Sequence, residues 1–255
     1  MVANSGSYDR VKELVAQRVP VVVATVVRGA GVGRKLIVTP DAVDGTLGDA
    51  ASDGEVIARA KILLEEERSG VEAFGETEVF FDVMPPSPQL IIVGAVHIAQ
   101  AMVTFAKALG FRIVVIDARQ QLATRERFPD IDELLVEWPD DAFAHLDITP
   151  NTFIAILTHD PKFDEPALVA ALETPARYIG AIGSRKTNAD RRQRLVEAGV
   201  SEASLARLRG PIGLDLGGSA PEEVAISILA EMIAVKHGRS GGSLVQSSGP
   251  IRAVV

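Results

Sequence analysis

The 255-residue sequence contains no cysteine. Disulfides, zinc–thiolate sites, iron–sulfur ligation, a cysteine nucleophile and a sulfur-carrying thiol are therefore excluded from this stretch of chain. Aromatic residues are scarce, with nine Phe, two Tyr and one Trp. So few rings argue against a stacking platform for bases. No apolar run reaches the length of a membrane span, and the N-terminus lacks the apolar core of a signal peptide. Basic charge is also in deficit: the net charge is −8, so no nucleic-acid partner is expected. These absences together predict a soluble, cytoplasmic protein without a membrane span. What the chain does have is apolar material, 47% hydrophobic against 24% charged. That is enough to build one large domain or two modest ones around a real core.

The most informative stretch runs from Gln89 to Met102. It opens as a short apolar run, meets Gly94, and then changes to helical spacing through Ile98, Ala101, Met102, Phe105 and Leu109. A period that switches from strand to helix across a glycine is the signature of the first turn of a dinucleotide-binding fold. A second strand, residues 112–117, ends in Asp117. This acid stands where a ribose-binding carboxylate belongs, roughly 20 residues past the glycine turn. The turn reads Gly94-Ala95-Val96-His97-Ile98-Ala99, so Val96 replaces the middle glycine of G-x-G-x-x-G/A. That glycine lets main chain approach a pyrophosphate, and a β-branched side chain obstructs it. Tight binding of NAD(P) is therefore not expected.

Upstream, residues 7–17 read as a helix and residues 21–27 as a buried β-branched strand. Residues 35–39 form a second strand and residues 45–48 a short third element. Asp53 is placed to cap a helix running to about Arg68, with Glu65, Glu66 and Glu67 at its solvated end. Residues 78–83 have strand composition. Pro85-Pro86-Ser87-Pro88 puts three prolines in four residues, which neither helix nor strand accommodates. The expected organisation is a smaller N-terminal α+β domain over residues 1–84, a linker at 85–88, a Rossmann-like parallel sheet over 89–237 and a flexible Gly/Ser-rich tail over 238–255. Within the larger domain, strands are expected at 133–137, 152–157 and 177–182. Helices are expected at 164–172, 186–198, 201–208 and from a Ser219–Glu222 capping box to about Lys236.

In an open parallel sheet, ligands bind beyond the carboxyl ends of the strands at the switch point. The notable polar residues fall there: Thr158, His159 and Asp160; Gly183, Ser184, Arg185 and Lys186; Gly213 and Asp215. If the first and fourth strands flank the switch point, His159 should face the Gly94 turn. His159 and Asp160 read equally as ligand contacts or as loop residues capping a turn before Pro161. The glycine turn before Arg185 and Lys186 offers free amides and two cations to an anion; a solvated charge run is the alternative. His97 is placed at a helix start. The four histidines, at 97, 145, 159 and 237, form no evident metal set, and no catalytic nucleophile arrangement stands out. Trp138 beside Pro139 reads as a surface or interface residue rather than a stacking group.

Several short motifs agree in order and spacing: Leu90–His97, Ile116-Asp-Ala-Arg119, Arg127-Phe-Pro129, Leu157–Asp160, Ile179–Lys186, Gly210–Gly217 and Pro221–Glu231. On these, the chain resembles the XdhC/CoxI family, accessory factors of xanthine dehydrogenase and related molybdenum hydroxylases. The resemblance covers nearly all of residues 89–236. It implies a C-terminal Rossmann domain and a non-catalytic accessory role. That role is binding the pterin molybdenum cofactor (molybdopterin), assisting its sulfuration and delivering it to the apo-hydroxylase. A cysteine desulfurase and a second copy of the chain are the further partners it implies. Gly94, Ala95, Val96, His97, Asp117, Thr158, His159, Asp160, Gly183, Ser184, Arg185, Lys186, Gly213 and Asp215 become the candidate cofactor-binding residues. The N-terminal half departs from the family pattern. Its two glycine loops read Arg28–Arg34 and Gly48–Glu55, without the family's cysteine and with Asp49 added. A cofactor-free regulatory or binding partner, and an NAD(P)-dependent oxidoreductase using Asp117, are the alternative functions.

Overall fold

A run of β-branched residues calls for cover on both faces; Val21–Arg28 (β1) has one face fully covered and the other covered at its start. In the computed structural model, which describes residues 5–248 and 251, β1 is the central strand of a five-stranded antiparallel sheet. The others are Lys35–Val38 (β2), Val43–Gly45 (β3), Gly70–Phe74 (β4) and Thr77–Met84 (β5), in the order β3-β2-β1-β5-β4. On one face Val22, Ala24 and Val26 pack with Val56, Ala60 and Leu63 of helix Ala50–Glu65 (α2). On the other, Val21 and Ile37 meet Leu14 of helix Ser5–Ala16 (α1).

Local chemistry here differs from expectation at three points. The N-cap of α2 is Asp49, whose carboxylate accepts from the Ser52 amide. Asp53 lies inside the helix and instead fastens the preceding loop, accepting from the Thr46 hydroxyl at 2.6 Å and the Leu47 amide at 2.8 Å. The third strand is residues 43–45, not 45–48. β4 is an addition to the expected elements, because Gly70-Val-Glu-Ala-Phe has only two large apolar residues and sits at the sheet edge.

The chain divides into two compact units, one built from residues up to Ser87 together with those from Ser248, and one from Pro88 to Ser247. The second unit is a six-stranded, wholly parallel sheet. Its strands are Gln89–Val93 (β6), Arg112–Ile116 (β7), Glu133–Leu135 (β8), Thr152–Ile156 (β9), Tyr178–Ala181 (β10) and Leu208–Arg209 (β11), ordered β11-β10-β9-β6-β7-β8. Alternate residues serve alternate layers, as the strand period requires. Leu90, Ile92, Ile113, Val115 and Phe153 pack with helices His97–Ala108 (α3) and Pro221–Lys236 (α8) through Met102, Ala106, Ile228 and Met232. Ile91, Val93, Val114, Ile154 and Ile156 pack against Pro139–His145 (α4), Pro161–Glu173 (α5), Arg185–Glu197 (α6) and Glu202–Leu205 (α7).

Three features of this unit depart from expectation. The helix expected over 201–208 ends at Leu205, and Leu208–Arg209 forms the edge strand β11. α4 is a short helix too brief to show a period. The capping box of α8 is only half made: the N-cap position is Ala220, which has no acceptor side chain, and Glu223, not Glu222, takes the Ser219 and Ala220 amides at 2.9 and 3.1 Å. The chain runs outward from β6 through β7 to β8, then returns across β6 to β9. The switch point therefore lies between β6 and β9, the first and fourth strands of the unit.

Candidate functional site

At the switch point the loop after β6 touches the loop after β9. Gly94 has φ +109°, a conformation an L side chain rarely adopts. A Cβ built on it would lie 2.6 Å from the Thr158 methyl and 3.1 Å from the Thr158 amide nitrogen. It is Thr158, buried, that faces the Gly94 turn; His159 is exposed. Gly94→Ala should therefore cost about 1–3 kcal/mol, the usual range for overpacking. The check is the thermal melting of the variant; an unchanged midpoint would show that the turn tolerates a Cβ.

Asp117 is buried, and both of its oxygens are engaged. Oδ2 accepts from the Ala95 amide at 2.7 Å and from the Arg119 guanidinium at 2.7 Å. Oδ1 accepts from the Arg119 amide at 3.0 Å and its Nε at 2.8 Å. A carboxylate offers about four acceptor positions, and all four are taken. The residue placed by sequence at the ribose position holds the Gly94 turn instead. Burial pushes the Asp117 carboxyl up, but the Arg119 guanidinium and the two amides outweigh it and hold the group below the usual carboxylate range.

The turn is clamped from outside by Arg127, which donates to the Ala95 carbonyl at 2.9 Å and the Leu122 carbonyl at 2.8 Å. Val96 is the N-cap residue of α3 and makes no side-chain cap; His97 opens the helix and is exposed.

The loops after β9 and β10 are joined by a buried chain of polar groups. Asp164 accepts from the Thr158 hydroxyl and, at 2.8 Å, from the Arg191 guanidinium. Arg191 also donates to the Ile182 carbonyl at 2.9 Å and to Asn188 Oδ1 at 2.5 Å. Asn188 in turn donates to the Gly183 and Ser184 carbonyls at 3.0 and 3.1 Å. Gly183 (φ +131°) brings the chain to Ser184, which caps α6 by accepting from the Thr187 amide at 3.0 Å. Arg185 and Lys186 follow, both exposed. Asp160 caps α5, accepting from the Lys162 amide at 3.0 Å.

The glycine-rich loop before α8 is tethered from that helix. Glu231 accepts from the Gly213 amide at 2.9 Å, the buried Tyr178 hydroxyl at 2.5 Å and Arg209 at 3.3 Å. Burial pushes the Tyr178 hydroxyl up. Asp215 is exposed and bonds to none of the other candidate residues among those described. Beside α6 lies a cavity of about 360 Å³ lined by Arg185, Asn188, Arg192, Leu208, Gly210 and Pro211.

Gly94, Ala95, Asp117 and Thr158 are thus brought into contact, and Gly183 and Ser184 are bound to them through Asp164, Arg191 and Asn188. His97, His159 and Asp215 stand apart on the surface. Trp138 lies at the surface, 45% exposed, and also stacks on Phe163, with ring centroids 4.6 Å apart and planes at 13°. Sequence reading missed Arg119, Arg127, Asn188, Arg191 and Glu231. Arg119, Arg127 and Glu231 stand within the motifs quoted above, but nothing local marked them as site residues.

A phosphate-bearing cofactor needs main chain free of side chains and a positive field. Gly183, the start of α6 and Arg185 and Lys186 meet that need at one edge. At the α3 edge Val96 is half-buried and packs against the core cluster. In the N-terminal unit the two glycine loops meet around Arg34, which donates to the Leu47 carbonyl at 3.0 Å. Gly48 has φ +111°, a conformation an L side chain rarely adopts, so glycine is favoured there. Among the described residues no group of three or more His, Cys, Asp and Glu could hold a metal, and no helix is long and apolar enough to cross a membrane.

Fold and site define a two-unit α/β protein whose Rossmann-type half gathers glycine turns and a buried polar network at the carboxyl ends of its strands. The sequence matches the XdhC Rossmann domain over residues 90–232, and the XdhC and CoxI family over residues 14–75. The chain belongs to the XdhC and CoxI family. Across 264 aligned positions it is 31% identical to YqeB of Escherichia coli K12, described as uncharacterized, covering 95% of the chain and 48% of YqeB. It is 29% identical to a probable xanthine dehydrogenase subunit of Bacillus subtilis 168, covering 62% of the chain and 46% of that protein. It is 30% identical to the molybdenum cofactor insertion chaperone PaoD of E. coli K12, covering 64% and 45%. The chain spans about half the length of these curated relatives. In fold it is similar to the crystal structure of a xanthine dehydrogenase from Bacillus halodurans, with a TM-score of 0.56 and 22% identity over 89% of this chain and 93% of that one.

Proposed function

We propose that the protein is an accessory factor for a molybdenum hydroxylase, holding the pterin molybdenum cofactor and assisting its sulfuration and insertion. One observation carries this reading. In a chain of net charge −8, Arg185 and Lys186 open α6 after a glycine turn, and Arg185 and Arg192 line the 360 Å³ cavity. That is a site for the phosphate end of a ligand. The family relationship and the relatives named for xanthine dehydrogenase and for molybdenum cofactor insertion support the choice of ligand.

When bound, the cofactor would supply the molybdenum centre of the client enzyme. The work of this chain is to hold and orient it: α6 amides, Arg185 and Lys186 on the phosphate, and the Gly94 and Gly183 turns giving close main-chain approach. Because the sequence has no thiol, sulfur would come from a separate cysteine desulfurase. The apo-hydroxylase is the receiving partner. A second copy of the chain is a further proposed partner, in a homodimer. A cofactor-free partner on the same scaffold is the second reading, supported by Arg34, whose guanidinium fills the space between Gly31 and Gly48.

The test is Arg185→Glu with Lys186→Glu. Two reversed charges at a phosphate should weaken binding of the isolated cofactor at least about tenfold, since each charge-assisted bond is worth roughly 1.5–3 kcal/mol. Delivery to an apo-hydroxylase should fall with it. A folded double variant that binds and delivers as the parent does would refute the assignment.

A further inference from the structure

Three strands of the parallel sheet end in a single stack of side chains. Arg119 follows β7, Trp138 follows β8, and Phe163 lies in the first turn of α5, after β9. Trp138 and Phe163 are stacked, and the Arg119 guanidinium also lies over the Phe163 ring, 5.4 Å from its centroid. Arg119 is held flat by its two side-chain bonds to Asp117. A flat ring packed on an indole and a guanidinium is the arrangement in which proteins hold a nucleobase or related heterocycle. Its place in the fold is also that of a bound base: past the carboxyl ends of the strands, beside the acid that ends the second strand of the unit. In this chain the ring in the stack is its own Phe163, and the groups on the acid are its own Arg119.

We propose that Trp138 and Arg119 form a binding slot for a fused bicyclic nitrogen heterocycle, a purine or a pterin, and that Phe163 is a built-in plug which the ligand's ring displaces. The ring end is read from the stack itself; the inference rests on the function proposed above only for the phosphate end of the ligand.

The geometry allows the exchange. Phe163 is only half-buried and can swing away about its own side-chain bonds. The helix behind it stays in place, because the next residue, Asp164, is locked by Thr158 and Arg191. Trp138 is 45% exposed, so the indole is free to follow an incoming ring. Phe163 alone occupies the place of the ring; Asp117 becomes available to ribose hydroxyls only when Arg119 gives up its bonds to it.

The experiment titrates the full chain with AMP and with 6-hydroxymethylpterin by calorimetry. For AMP, the emission of Trp138, the single tryptophan, is followed in parallel. Phe163→Ala should bind at least one of the two at least tenfold more tightly than the parent, with quenching of Trp138 when AMP is the ligand. Arg119→Gln should favour AMP over the pterin, because it frees Asp117 for the ribose. A gain for AMP alone identifies a nucleotide slot, and a gain for the pterin alone identifies a pterin slot. If Phe163→Ala is unstable, Phe163→Leu fills the space without a flat ring and is read in the same way. No gain for either ligand in a folded Phe163 variant overturns the slot. In that case, loss of cofactor binding in the Arg185/Lys186 variant would still uphold the proposed function. The converse pattern would uphold the slot alone.

Discussion

Arg191→Met should destabilise the Rossmann-type unit by about 3–5 kcal/mol, the cost of removing one member of a buried ion pair. Arg191 and Asp164 have side chains only 2% and 3% exposed. Methionine has about the right length and no donors. The Asp164 carboxylate would keep the Thr158 hydroxyl and lose its countercharge, while the Ile182 carbonyl and Asn188 Oδ1 would each lose a donor. For a unit of this size the melting midpoint should fall by roughly 10 °C.

The sign of the pH effect is also set. Burial already holds the Asp164 carboxyl above its usual range, against the pull of the Thr158 hydroxyl and Arg191. Without Arg191 it rises further, and the folded variant takes up a proton. Stability of a group with a raised carboxyl is recovered as pH falls, so the deficit should shrink on acidification. Asp164→Leu combined with Arg191→Met should restore much of the loss, since an apolar pair carries no uncompensated charge. A deficit below about 1 kcal/mol, or one unchanged by the second substitution, would show that the pair is not the fastening it looks to be. A functional consequence follows from the same bonds. Thr158 meets Gly94, and Asn188 holds the carbonyls of Gly183 and Ser184, so the variant should loosen both turns at once.

What the sequence made legible divides along one physical line. Elements that bury both faces announce themselves: β6, β7, β9 and β10 are short, continuous apolar runs, and each is found within a residue or two of its expected place. The Gly94 turn, the change of period after it and the Ser184–Lys186 entry to α6 are local signals, and their positions in the parallel sheet follow from strand order. Half-buried and edge elements are poorly announced. β4 alternates over five residues, and α4 is seven residues long.

Within the site, residues that act through partners distant in sequence are hidden. Arg191 stands in a helix with four other basic residues, and nothing in its neighbourhood marks it as the one whose charge is buried. Trp138 and Phe163 are far apart in the chain and meet only because β8 and β9 run parallel and end on the same side of the sheet. Asp49 and Asp53 are both plausible caps by composition. The choice falls to Asp49 because Asp53 is drawn back to Thr46 and Leu47. Asp117 stands where its sequence position puts it but is occupied differently, because its partner Arg119 turns back on it from two residues away.

That occupation gives the second large effect. Asp117→Asn should cost about 2–3 kcal/mol at neutral pH, roughly the worth of one or two bonds to a charged group lost without replacement. The amide keeps one acceptor oxygen, but its nitrogen meets two donors whichever way it turns: the Ala95 amide and the Arg119 guanidinium at the Oδ2 place, or the Arg119 amide and its Nε at the Oδ1 place. Arg119 also loses the countercharge that holds it over Phe163. The acid dependence distinguishes this from simple loss of packing. Arg119 and the backbone amides of Ala95 and Arg119 hold the carboxyl below its usual range, against burial. A carboxyl lowered in the folded state contributes stability that is present above its unfolded value and is lost as pH falls through its folded value. The parent should therefore lose this contribution in strong acid, and the difference between parent and variant should narrow there. Hydrogen exchange should report the same bond directly, with the Ala95 amide protected in the parent and exchanging faster in Asp117→Asn. If the amide stays equally protected and the two stability curves run parallel through the acid range, Asp117 does not hold the turn, and its carboxylate is free for a ligand after all.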